Sequence, residues 1–402
     1  MKTLQIRTLA GLFLIALSSC GREPPRQQVL VRDSAQVEIV QYALGTEAGL
    51  AAWELSPSPL LQIGAFEGEP EYQLYQATGA TRLPDGSIVV ANAGTHELRF
   101  YDTAGRFLQA VGQEGGGPGE FQRLSSVWRV GGDSLVTWDW GSSRLTFFDA
   151  AGRFGRTVTL TLVEGRGLPL PVGVLPDGQL LVAAIGFPSP NVTSGVLQDT
   201  AALYRCTALG EPIDSLRQFP FSDLQLFTTQ HGPSVTRLPF GRRTQVGTVA
   251  DGFFIGAGEA YEIRFYSSDG TLRRIVRREH RPRTVTDADV QRYKERRLAT
   301  ASEMERTRFD LERRLDETEY PATMPAYGNA LVGRDDNLWV ADYQPLGEGG
   351  HWTAFDRYGR MVAALETPPG FVVFEFGSDY VLGRSRDELD VERVQLYALV
   401  KG

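Results

Sequence analysis

The 402-residue sequence predicts an all-β fold: a six-bladed β-propeller closed by an N-terminal strand and carrying an α-helical insertion between blades 4 and 5. Three observations lead there. The stretch Arg99–Phe107, with Asp102, Gly105 and Arg106 at its turn, returns as Thr146–Phe154 with Asp149, Gly152 and Arg153, and as Thr353–Met361 with Asp356, Gly359 and Arg360. A second phrase, Leu83-Pro84-Asp85-Gly86 followed by an apolar run, recurs from Val130, Leu175, Val249, Gly333 and Phe376, at spacings of about 47, 45, 74, 84 and 43 residues. A unit near 45 residues built of short strands and Asp-Gly turns is a propeller blade. Finally, Leu60–Tyr72 matches Leu108–Phe121, the last strand of a blade and its exit loop, whereas the last copy ends after a third strand at Val394–Val400. The N-terminal segment therefore supplies the missing edge and covers open backbone groups.

In chain order, residues 1–19 read as an export leader: Lys2 and Arg7 precede the apolar stretch Leu9–Leu17, which is too short to span a bilayer. Leu17-Ser18-Ser19-Cys20 resembles the lipobox of bacterial lipoproteins. That resemblance implies lipid attachment at Cys20, the first residue after cleavage, and Gly21 beside it favours the outer membrane, facing the periplasm. Acyl chains anchor without spanning. Residues 20–35, with Pro24-Pro25, read as a lipidated tether, and 36–402 as the propeller. Cys20 and Cys206 are the two cysteines, so lipidation of the first leaves no internal disulfide, and core burial must hold the fold.

Within the propeller, each Asp-Gly pair turns one strand into the next, because both residues tolerate positive φ. Asp85, Asp177, Asp251, Asp335 and Asp379 are read as turn residues, and Asn92, Asp139 and Asp342 as residues that steady the ends of second strands. Trp128, Trp138, Trp140, Trp339 and Trp352 are read as packing between neighbouring sheets. Gly186–Ala201 reads as a long loop in the third unit, and the basic run Arg273–Arg281 as the charged edge strand of the fourth. From about 284 to 320 the strand pattern stops. Thr286 is placed to cap a helix, and Val290, Tyr293 and Arg297, then Met304, Leu311 and Leu315, share faces, which predicts a pair of surface helices or a lid over one mouth of the channel.

The strand phrases, together with Val111-Gly112 and Gly117-Pro118-Gly119-Glu120-Phe121, resemble NHL-type repeats, and nearly the whole chain is similar to bacterial six-bladed β-propeller lipoproteins of the NHL and TolB-like superfamily. Such propellers include binders, scaffolds and enzymes, among them gluconolactonase-like hydrolases and lyases with a divalent cation in the channel.

The chemistry in this chain is sparse. No HExxH, CxxC, GxSxG or phosphate-binding loop is present, and Gly112–Gly119 lies between units rather than between a strand and a helix. His96, His231, His280 and His351 are scattered and give no metal-ligand spacing. A net charge of −8 argues against a nucleic-acid partner. No catalytic, metal or cofactor residue is assigned. The expectation is a lipid-anchored binding or scaffolding module of the cell envelope with a protein or small-ligand partner at a propeller face, the alternative being a hydrolase or lyase with a cation in its channel.

Overall fold

The protein is described here by a computed structural model covering residues 29–131, 134–161, 167–186, 194–229, 232–308, 310–344 and 350–402. The leader and Cys20 lie outside these residues, as does His231.

Four strands come first: β1 (Val29–Ser34), β2 (Val37–Tyr42), β3 (Ala51–Leu55) and β4 (Leu61–Ile63). A four-stranded sheet follows, β5 (Ala77–Arg82), β6 (Ile88–Asn92), β7 (Glu97–Tyr101) and β8 (Phe107–Val111), then a second, β9 (Leu124–Val130), β10 (Ser134–Asp139), β11 (Arg144–Phe148) and β12 (Phe154–Thr159). The next sheet has five strands, β13 (Leu168–Val174), β14 (Leu180–Ile185), β15 (Gly195–Cys206), β16 (Pro212–Thr229) and β17 (Gly232–Arg237). It is succeeded by β18 (Gln245–Val249), β19 (Gly252–Gly256), β20 (Glu262–Ser267) and β21 (Leu272–Arg278), to which β2 and β1 are added. Three helices, α1 (Asp287–Thr300), α2 (Glu303–Arg308) and α3 (Leu311–Glu317), precede β22 (Ala330–Val332), β23 (Leu338–Ala341), β24 (Gly350–Phe355) and β25 (Met361–Thr367). The chain ends with β26 (Val372–Phe376), β27 (Tyr380–Arg386) and β28 (Glu392–Val400).

Within each sheet consecutive strands run antiparallel, and the first strands β5, β9, β13, β18, β22 and β26 line one central cavity. This is a β-propeller. Its core is divided among the contacts of neighbouring sheets. Leu98, Phe100, Leu135 and Phe148 fill one, while Trp339 stacks on Phe376 at 4.3 Å in another.

The repeated Asp-x-x-Gly-Arg phrase has one geometry throughout. Asp102 Oδ1 accepts from the backbone N–H groups of Ala104 and Arg106, both at 2.9 Å, and its Oδ2 accepts from Arg106 Nε at 2.7 Å. Asp149 with Ala151 and Arg153, and Asp356 with Tyr358 and Arg360, repeat those bonds. Gly105, Gly152 and Gly359 take φ of 78°, 73° and 73°, the left-handed conformation a glycine supplies at least cost. The Asp85, Asp177 and Asp335 carboxylates likewise accept from the backbone N–H two residues on, as the turn reading expects.

The expected seam is present: β4 pairs antiparallel with β28, Ile63 opposite Val394 and Leu61 opposite Leu396. More of the N-terminal segment takes part than the repeats indicated. β3 runs parallel to β25 and antiparallel to β28, joining two sheets, and Trp53 meets Trp339 edge to face at 5.7 Å. β1 already starts at Val29, seven residues before the expected start of the folded part, since Ala35 and Gln36 form a positive-φ turn that folds β1 back on β2.

Three other expectations are corrected. The basic run is not an edge strand: β2 pairs parallel along β21 with Glu38 opposite Arg274, and Glu262 binds Arg264 and Arg277, each at 2.6 Å. Part of the expected long loop, from Gly195, is strand, because β15 and the 18-residue β16 extend their pairing and carry β17. The helical segment holds three helices rather than two. Thr286 and Asp289 form the expected cap, each side chain accepting from the other's backbone N–H. These helices pack on the β16–β17 extension: Phe240, Tyr293 and Tyr320 form an aromatic triangle, and the Arg314 guanidinium lies 4.7 Å from the Phe227 ring centre. None of their residues lines the central cavity.

Ile63 is 1% exposed in the seam, whereas Leu60 is 65% exposed. Ile63→Ala should lower the unfolding free energy by about 2–5 kcal/mol in urea titration, and Leu60→Ala should change it by less than about 0.5 kcal/mol. Equal costs would show that the seam's side chains do not carry its stability.

Candidate functional site

The central cavity measures about 600 Å³, within the range of small-molecule sites. Its walls differ. One side is apolar, with Pro171, Val172 and Val174 from β13 and Val249 from β18. The other carries Arg129 at the end of β9, Arg334 just after β22 and Glu375 in β26.

Glu375 is only 8% exposed, and four residues satisfy it. Its Oε2 accepts from Thr81 Oγ1 at 2.6 Å and from Arg334 Nε and Nη2 at 2.9 and 2.6 Å. Its Oε1 accepts from the Tyr380 hydroxyl at 2.6 Å and the Arg82 backbone N–H at 3.2 Å. Arg334 Nη1 continues to the Arg129 carbonyl oxygen at 3.1 Å. Four sheets are thereby tied at one end of the cavity. Burial, then the adjacent Glu375 carboxylate, pushes the Tyr380 phenol up, so it remains a hydrogen-bond donor at neutral pH. The Arg82 guanidinium lies over the Tyr380 ring, 4.8 Å from its centre.

Arg129 differs from Arg334. Among the described residues its side chain has no hydrogen-bond or carboxylate partner, and its Nε is buried. Asp336, the other acidic residue of the wall, is exposed in a left-handed turn with φ of 61°.

The residues singled out from sequence lie elsewhere. Asn92 Oδ1 accepts from the Tyr75 backbone N–H at 2.7 Å, and Asp139 accepts from those of Gln122, Arg123 and Gly141. Both carboxamide and carboxylate clip the chain entering a sheet to the end of its second strand, so their role is structural. Hydrogen bonding to backbone holds the Asp139 carboxyl below its ordinary range despite burial. Trp138, Trp339 and Trp352 are buried between sheets, while half-buried Trp128 also reaches the cavity wall. Cys206 is buried and unpaired, and burial pushes its thiol up to about 11. Among the described residues no three His, Cys, Asp or Glu side chains form a group able to hold a metal ion. The donor set of the cavity also suits a cation poorly, since its one buried carboxylate is engaged by an arginine, two hydroxyls and a backbone N–H.

Sequence reading missed Arg129, Arg334 and Glu375. A signal for two of them lies in the second phrase: the residue just before each copy is Arg82, Arg129, Val174, Thr248, Val332 and Glu375. At that position the repeat breaks its own pattern.

No protein-family model matches the chain, and no curated protein sequence does. Solved structures similar to it include a DUF4221-family member from Bacteroides vulgatus, 8% identical with a TM-score of 0.48, covering 88% of this chain and 100% of that one. Virginiamycin B lyase from Staphylococcus aureus is 9% identical with a TM-score of 0.39, covering 87% and 100%. A gluconolactonase from Xanthomonas campestris is 12% identical with a TM-score of 0.41, covering 86% and 99%.

Away from the cavity, His351 Nδ1 lies 3.0 Å from Asp342 Oδ2, and that hydrogen bond holds the imidazole above its ordinary 6.5. The folded state therefore favours the protonated ring: the stabilisation is present below pH 6.5 and is lost as pH rises through the raised value. Thermal unfolding of wild type and His351→Gln should differ most below pH 6.5 and converge above it, by less than about 1 kcal/mol because the ring is part-exposed. A pH-independent difference would refute the coupling.

Proposed function

We propose that this protein is a lipid-anchored, six-bladed propeller of the NHL and TolB-like type, held in the bacterial cell envelope through Cys20 and acting as a binding module whose ligand enters the central cavity. In this reading β5–β8, β9–β12 and β13–β16 are the first three blades, β18–β21 the fourth, β22–β25 the fifth, and β26–β28 with β4 the sixth. The helices are then an insertion between blades four and five. The observation that carries the binding reading is the cavity itself: about 600 Å³, lined from every inner strand, with Pro171, Val172, Val174 and Val249 on β13 and β18 and the charged Arg129, Arg334 and Glu375 among the residues of the remaining wall. Such a division orients a small molecule. The anchor rests on the sequence Leu17-Ser18-Ser19-Cys20, and an outer-membrane position facing the periplasm on Gly21. Among the described residues no helix is long and apolar enough to cross a membrane.

A hydrolase or lyase using a divalent cation in the channel is the weaker alternative, since Glu375 already accepts from Thr81, Arg82, Arg334 and Tyr380. A cation would have to displace donors rather than find free oxygen ligands.

Cys20→Ser should move the protein from the membrane to the soluble fraction on cell fractionation; continued membrane association would remove the lipid anchor from this reading. Ala250 is exposed and part of the cavity wall, so Ala250→Trp should narrow the opening without disturbing the core. Native mass spectrometry of full-length protein extracted in mild detergent should find a small molecule on wild type and lose it with Ala250→Trp. An identical bound complement in both would place the binding site elsewhere.

A further inference from the structure

The geometry points to an organic anion as the ligand of the central cavity, its carboxylate or phosphate group met by Arg129 beside Arg334 and its apolar body lying against Pro171, Val172, Val174 and Val249. This rests on the cavity being the binding site. Arg334 is committed, its guanidinium shared among Glu375, Thr81 and the Arg129 carbonyl. Arg129 is not, and a buried guanidinium N–H with no protein acceptor is costly unless water or a ligand supplies one.

The charges of the wall follow the same division. Glu375 balances Arg334 at 2.6 Å, leaving Arg129 as a cation without a close carboxylate. Asp336 belongs to an exposed turn, where water screens it. Arg82, stacked on Tyr380, adds a second positive group behind the cluster, and its Nε is also buried without a partner. A planar guanidinium offers paired donors that match the two oxygens of a carboxylate or phosphate, which a neutral ligand does not use. The apolar residues contributed by β13 and β18 to the same cavity make a small inorganic anion a poor occupant, since it would leave that surface against water. Charge-assisted bonding on one side and apolar burial on the other describe a single molecule with an oxyanion head and a hydrocarbon or aromatic body.

The test is isothermal titration of the full-length protein in neutral detergent micelles with benzoate, phenyl phosphate and benzyl alcohol, repeated on Arg129→Gln and Ala250→Trp. At least one anion should bind about tenfold or more tightly than benzyl alcohol, Arg129→Gln should erase that preference, and Ala250→Trp should weaken every probe. Which anion binds tells a carboxylate ligand from a phosphate one. The wild-type preference can be read even if Arg129→Gln proves unstable on thermal unfolding. Benzyl alcohol binding as well as the anions, with Ala250→Trp still blocking it, would overturn the anion inference and leave the cavity as the site. Binding indifferent to both substitutions would overturn both readings, and no binding of either anion at millimolar concentration would overturn this one alone.

Discussion

The fold depends on the union of its two ends. A ring of sheets made from one chain has to close somewhere, and an unclosed first or last sheet would leave backbone donors and acceptors bare. Here the closure is distributed. β4 hydrogen-bonds to β28, β3 to both β25 and β28, and β2 to β21, so the segment before the first complete sheet engages three others. A buried carboxylate reinforces the junction: Glu392, 4% exposed, accepts from the Ala77 backbone N–H at 2.6 Å and from Arg384 and Arg386. Gly64 is required beside it, because its φ is 128° and a Cβ would run into the Glu392 carbonyl oxygen. The Glu375 cluster crosses the same junction on the cavity side, through Thr81 of the first sheet and Tyr380 of the last.

Repetition made most of this architecture legible. The Asp-x-x-Gly-Arg phrase could be read because its physics is local: one carboxylate closes a turn on two backbone N–H groups and an arginine four residues on, wherever the phrase occurs. The β4–β28 pairing was legible because Leu60–Tyr72 matched an exit strand with no blade of its own. β1, β2 and β3 were not, since they copy no unit, β1 pairs only with β2, and the outer partners of β2 and β3 lie more than two hundred residues away in sequence. The basic run failed for a related reason. Arginines spaced along a strand look like a solvated edge, and only β2's arrival shows that edge covered, with Glu38 bound to Arg274, while Glu262 of β20 binds Arg277.

The candidate site was nearly illegible by the same logic. Motif reading seeks residue types at fixed local spacing, but Thr81, Arg129, Arg334 and Glu375 come from four different sheets and meet only through the ring. What the sequence did contain was a departure from its own repeat. Where copies of the second phrase are preceded by valine or threonine, the position serves packing at the cavity wall; where they are preceded by Arg82, Arg129 and Glu375, it is charged. A repeat can keep identical turns because each sheet needs one, whereas a cluster formed once in the ring must break the symmetry.

The two long segments that copy no repeat follow a different logic. The extension of β15–β17 and the helices α1–α3 enter the chain almost a hundred residues apart, yet each covers the other's apolar surface through Phe227, Phe240, Tyr293, Leu311 and Leu315. α2 and α3 are too short to be stable alone, so their order derives from this packing and, for α2, from Ser302, whose Oγ accepts from the Glu305 backbone N–H. A cavity of about 170 Å³ remains between them, lined in part by Arg297, Glu305 and Arg314. Because this unit is seated on the third sheet's extension and none of its described residues lines the central wall, the ring can hold the residues of that wall in place independently of it, which separates the element that covers the outer surface from the one that shapes the central cavity.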